Sequence, residues 1–102
     1  MKAVILLLFL VACAQQQVVT VQDDAQVDIS GFAFSPAVVK IAQGSTVTWT
    51  NKDALTHTVT GRSFDSGHLD KGASWSKKFD EKGTFEYGCS IHPTMKGTII
   101  VE

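Results

Sequence analysis

The chain has 102 residues, the length of a single domain. With 44% hydrophobic residues, 19% charged residues and a formal charge of −1, it has the balance of an ordinary globular domain. That balance excludes a nucleic-acid partner, which would need a basic patch or a high isoelectric point.

Met1-Lys2 and the apolar run from Ala3 to Ala14 stand apart from the rest of the chain. A short positive start and an apolar stretch too brief to span a bilayer predict a signal peptide over 1–12, and hence export to the periplasm or another extracytoplasmic space. Leu10-Val11-Ala12-Cys13 resembles a bacterial lipobox, in which Cys13 takes a lipid and becomes a membrane tether. The alternative is ordinary cleavage near Ala12 or Ala14, which leaves Cys13 incidental. Residues 13–25 are expected to form a polar tether, with Val18 to Val21 able to start an edge strand. The folded domain is expected over 26–102.

From there the pattern is of short strands with turn signals between them, which predicts an all-β sandwich or barrel of seven or eight strands. Val27 to Gly31 is the first strand, ending before Phe32, Phe34 and a Ser35-Pro36 break. Ala37 to Ala42 is the second, stopped at Gln43-Gly44. Ser45 to Asn51 alternates, Val47 and Trp49 on one face and Thr46, Thr48 and Thr50 on the other, as in a strand with one wet side. Leu55 to Thr60 is expected as a strand carrying His57. Gly61 to Gly72 is a long polar connection. Ser74 to Phe79 puts Trp75, Lys77 and Phe79 on one face; Thr84 to Cys89 does the same with Phe85, Tyr87 and Cys89. Met95 to Glu102 closes the sheet through Ile99 and Val101. No stretch of ten residues keeps a helical period.

The chemistry concentrates in Tyr87 to Gly97. Cys89, His92 and Met95 place a thiolate, an imidazole and a thioether three residues apart, and His57 supplies a second imidazole from mid-chain. Sulfur donors beside imidazole suit copper far better than calcium, magnesium or manganese, which take oxygen. Two His and a Cys with a weak axial Met is the ligand set of a blue-copper electron-transfer centre. Each residue alone has a duller role: Cys89 as a small buried hydrophobe, His57 as a satisfied histidine, Met95 as core filler. Their joint spacing, at a strand-to-loop junction in an exported chain, favours the metal. Pro93 fixes its own backbone angle and stiffens the loop.

This stretch resembles the cupredoxins, the blue copper proteins, and Cys89-Ser90-Ile91-His92-Pro93-Thr94-Met95 is similar to the short ligand loop of the amicyanins. Phe34-Ser35-Pro36, Gly44 to Asn51, His57-Thr58-Val59, Phe64-Asp65-Ser66-Gly67 and Gly83 to Cys89 also resemble the plastocyanin and amicyanin pattern. The resemblance implies a Greek-key β-sandwich with one type 1 copper ion at one end. It implies His57, Cys89 and His92 as strong ligands and Met95 as the axial one. It further implies a monomeric electron carrier, not an enzyme, that docks redox partner proteins transiently near His92, with Leu55, Ile91, Pro93 and Met95 as an apolar patch.

Thr58 departs from the pattern, since the family often has Asn after the first ligand histidine. The side-chain tie between the ligand loops is therefore expected to be shorter or absent, which bears on the redox potential. His68 reads as a solvated loop histidine, and Lys71, Lys77, Lys78 and Lys82 as a wet face with a lesser prospect of docking a partner. Copper storage or delivery would favour a looser site. A zinc site would not want the thioether. An immunoglobulin-like adhesion module would need a Cys…Trp…Cys framework, and Trp49 has only Cys89 after it.

Overall fold

A computed structural model describes residues 20–102. The expected signal peptide, Cys13 and most of the expected tether lie outside the described residues. Among the described residues, nine strands form two mixed sheets: β1 (Val21–Gln22), β2 (Ala25–Ser30), β3 (Ala33–Ser35), β4 (Val38–Ile41), β5 (Thr46–Asn51), β6 (Thr60–Gly61), β7 (Ser74–Lys78), β8 (Gly83–Gly88) and β9 (Lys96–Val101). One sheet runs β1-β4-β9-β8-β6 and the other β3-β2-β5-β7. The count passes the seven or eight expected because two of the nine, β1 and β6, have only two residues. Pairing starts ahead of residue 26, for Val21 and Gln22 lie parallel to Lys40 and Ile41, and Ala25 is buried.

Alternation decides which sides meet. Val27 and Ile29 of β2, Val39 and Ile41 of β4, Val47 and Trp49 of β5, and Ile99 and Val101 of β9 are all buried, while their neighbours in sequence face outward. Burying each such aliphatic side chain is worth about 1.5–3 kcal/mol, so these positions hold the sheets together. Trp49 is the hub, with the rings of Tyr87 at 5.4 Å and Trp75 at 5.6 Å. The Tyr87 ring lies against Gly97 of the neighbouring strand, where an added Cβ would stand 2.3 Å from it. Burial pushes the Tyr87 phenol up to about 12, with the adjacent Trp49 indole opposing it in part.

The expected strand from Leu55 to Thr60 does not form. His57 makes only an isolated bridge to Leu69, and regular pairing starts at Thr60. The reason is local: His57, Thr58 and Val59 are all buried, which a pleated strand with one wet face cannot achieve. The N–H of Thr58 goes to Cys89 Sγ and that of Val59 to the Ser66 hydroxyl, leaving neither for a ladder.

Candidate metal centre

Cys89 follows directly on β8, where Tyr87 and Cys89 share the buried face and Phe85 is half-buried. The chain then loops out and returns to β9. Met95 N–H donates to the His92 carbonyl at 3.0 Å, and Cys89 N–H to the Met95 carbonyl at 3.4 Å, so the loop closes on itself. Gly88 allows that closure, because a Cβ there would sit 2.7 Å from the Met95 carbonyl oxygen.

His57 arrives from the opposite side on the loop after β5. Its N–H and carbonyl both pair with Leu69, at 3.1 and 2.8 Å. The Asn51 side-chain amide donates to the carbonyls of Leu55 (2.9 Å) and Leu69 (2.8 Å), which folds this loop over the end of the sandwich. His57 is fully buried and His92 half-buried.

The three side chains converge. Cys89 Sγ lies 3.8 Å from Nδ1 of His57 and 3.8 Å from Nδ1 of His92. The ligand atoms of all three fall within 4.8 Å of one another. Metal–nitrogen and metal–sulfur bonds of about 2.0 and 2.3 Å meeting at a trigonal angle span about 3.8 Å between donor atoms, so the spacing fits a shared ion. Met95 is 2% exposed, at the return of the same loop.

Burial would raise the Cys89 thiol, but the Thr58 N–H and the two imidazoles outweigh it and bring the group down to about 6. A thiolate, the form that binds metal, is thereby favoured at neutral pH.

Of the two expectations for Thr58, a shorter tie or none, the structure has the shorter tie. Its N–H reaches Cys89 Sγ at 3.3 Å, and its hydroxyl accepts the Ser90 N–H at 2.9 Å. The same hydroxyl lies 3.1 Å from Ser90 Oγ and 2.8 Å from Thr60 Oγ1. A short side chain suffices because the two loops approach closely.

Two further residues escaped the sequence reasoning. Asp53 Oδ2 lies 2.9 Å from Nε2 of His57; an ionised carboxylate only accepts, so Nε2 carries the hydrogen and Nδ1, on the Cys89 side, is the atom left to bind a metal. Hydrogen bonds from Phe32 and Gly31 lower the Asp53 carboxyl below its usual range, partly opposed by burial and assisted by His57. The only signal was an acid four residues before a candidate ligand. Phe32 sets its ring edge-on to His57 (5.2 Å) and His92 (4.9 Å). His68 is exposed and apart from the cluster. Lys77 is half-buried with its ammonium over Phe64 (5.5 Å) and Phe79 (5.2 Å), so its stem packs on the core instead of serving a free surface.

Residues 3–101 match the cupredoxin-like domain family. The chain belongs to that family. It is 38% identical over 84 residues to amicyanin-alpha of Methylorubrum extorquens, covering 76% of this chain and 71% of that protein. Amicyanin of Paracoccus denitrificans is 34% identical over 86 residues, covering 74% of this chain, which spans 63% of that protein's length. Among solved structures, a purple cupredoxin from Nitrosopumilus maritimus superimposes with a TM-score of 0.73 at 32% identity, over 78% of this chain and all of that one. These cupredoxin relatives agree with the all-β, two-sheet architecture.

Proposed function

We propose that this protein is a type 1 copper electron carrier working outside the cytoplasm, with His57, Cys89 and His92 as the strong ligands and Met95 as the axial one. The observation that carries it is the convergence of one buried thiol and two imidazole nitrogens, each nitrogen 3.8 Å from the sulfur. A copper ion held there would supply a one-electron Cu(I)/Cu(II) couple. The protein's part is to hold the donors still. His57 is pinned through Leu69 and Asp53, Cys89 through Thr58, and His92 and Met95 through the closed loop. Ligands so held rearrange little when the charge changes, which favours fast transfer. Four protein donors leave no position for a substrate, in keeping with a carrier and not an enzyme.

His92 is the partly exposed ligand, and it supports an exit for the electron at that end of the sandwich. Phe32, in edge contact with His92, is 46% exposed; Ile91 (42% exposed) and Pro93 flank the ligand in sequence, and Leu55 (53% exposed) lies two residues before His57. This apolar rim suits brief docking of a redox partner protein by a monomer, as weak electron-transfer encounters use interfaces below about 1,200 Å². Met95, expected in the rim, is buried and takes no part in it. The lipobox-like Leu10-Val11-Ala12-Cys13 supports a lipid tether at Cys13 in the periplasm, which mass spectrometry of the native N-terminus would test.

The visible spectrum of the purified, copper-loaded protein tests the central reading. An intense thiolate-to-copper charge-transfer band is expected; its absence would overturn the assignment.

A further inference from the structure

We infer that Asp53 is a positioning residue for this centre: its one carboxylate ties the buried ligand imidazole to the backbone of the turn whose Phe32 ring lies edge-on to both imidazoles. The inference rests on the copper reading above and adds to it a determinant outside the ligand set.

Three donors converge on the two carboxylate oxygens. Oδ1 of Asp53 accepts the Gly31 N–H at 2.8 Å. Oδ2 accepts the Phe32 N–H at 3.0 Å and the Nε2–H of His57 at 2.9 Å. Asp53 is held in turn, its own N–H donating to Asn51 Oδ1 at 2.9 Å, and Asn51 is fully buried. The Asp53 side chain is 16% exposed and that of His57 is not exposed at all. The turn between β2 and β3, the loop after β5 and the metal site therefore share one anionic anchor.

The turn is unusual in what it contains. Gly31 and Phe32 both have left-handed backbones, with φ of 61° and 58°. Glycine adopts this freely, but a side-chain-bearing residue does so at a cost in strain. Phe32 is also largely exposed, so core burial does not explain it. Its ring meets His57 and His92 edge-on, and strain kept at such a place points to the site it faces. The two N–H bonds to Asp53 offset the strain and seat the ring.

The chemical effect follows from where the carboxylate sits. An anionic acceptor on Nε2–H orients the imidazole and makes its Nδ1 a stronger donor. A stronger donor favours the more highly charged Cu(II) over Cu(I), so Asp53 holds the potential down.

Three variants separate this from a role in the turn alone. Asp53→Asn removes the negative charge and leaves a single acceptor oxygen, so it cannot accept on both sides as the carboxylate does. Asp53→Glu restores the charge on a longer arm, and Asp53→Ala removes everything. In copper-loaded protein, Asp53→Asn should keep the visible band, weaken metal affinity by about 10- to 100-fold and shift the midpoint potential upward. Asp53→Glu should recover part of that shift. An Asp53→Asn protein with the parent's affinity and potential would overturn the inference. A second measurement needs no copper. In the metal-free parent, the His57 Nε2–H should be a slowly exchanging proton resonance, lost in Asp53→Ala. Exchange in the parent as fast as in Asp53→Ala would overturn the tie. A parent lacking the visible band would instead deny the copper reading, with the imidazole proton still deciding whether Asp53 positions His57.

Discussion

The Thr58 hydroxyl accepts the backbone N–H of Ser90 at 2.9 Å, joining two loops that lie 32 residues apart in the chain. The Thr58 N–H meanwhile donates to the sulfur of Cys89 at 3.3 Å. One residue thus stitches the mid-chain ligand loop to the C-terminal one, using its backbone for the sulfur and its side chain for the loop. Thr58→Val keeps the shape and the backbone bond but orphans the Ser90 N–H. It should destabilise the metal-free protein by about 1–3 kcal/mol and leave the visible band in place, as urea unfolding and a spectrum would show. Thr58→Asn, which returns an acceptor, should recover part of the loss. An unchanged unfolding midpoint in Thr58→Val would mean the stitch contributes nothing.

The ligand assignment predicts two different losses. Cys89→Ala should abolish strong copper binding and the colour together, since the band belongs to the thiolate. Met95→Leu should keep copper and raise the potential, because loss of a weak axial donor favours Cu(I). Leucine matches methionine closely enough in volume that the fold should lose less than about 1.5 kcal/mol. A fall in the potential of Met95→Leu would remove Met95 from the axial role.

Much of this was legible in the residues, and the misses have physical causes. Strict alternation at Val47 and Trp49 and at Phe85, Tyr87 and Cys89 gave the buried faces, because a period of two survives in any strand with one wet side. Compact Cys89-x2-His92-x2-Met95 spacing located the site because a single short loop carries all three. The expected strand around His57 failed because its backbone donors serve Cys89 Sγ and the Ser66 hydroxyl, partners that no propensity anticipates. Asp53 and Phe32 were missed for a related reason. Their importance comes from one carboxylate bridging a turn at residues 31 and 32 to a loop 21–22 positions later, a relation set only by the folded chain. Met95 was misplaced on the surface because a loop residue of an apolar type gives no sign of which way it faces.

The lowered thiol predicts a pH dependence in the metal-free protein. Cys89 titrates at about 6 in the folded state against an ordinary value of 9.0. Between those values the folded form binds fewer protons than the unfolded one, so its stability rises with pH. The contribution is complete above about 9 and fades as pH falls through about 6. Ultraviolet thiolate absorbance should therefore show a midpoint near 6, shifted upward in the urea-unfolded protein, and chemical unfolding should give a higher midpoint at pH 8 than at pH 6. A folded-state thiol titrating in the ordinary range would contradict the hydrogen-bond pattern around the sulfur.

The apolar rim beside His92 predicts where electron transfer is sensitive to charge. Leu55 is exposed and lies on the loop that carries His57, yet among the described residues its side chain has no part in the buried core cluster. Leu55→Asp should accordingly leave the fold, the visible band and the potential close to those of the parent. Two copies meeting through this rim would then bring like charges together, which disfavours the encounter. Electron self-exchange between reduced and oxidised copper-loaded protein should slow by about tenfold or more, measured by NMR line broadening, and recover partly in high salt as the charges are screened. Lys78→Ala, which makes the same one-unit change in net charge on the exposed side of β7, should change the rate little. Equal slowing by both variants would mean that net charge, and not docking at the rim, sets the rate.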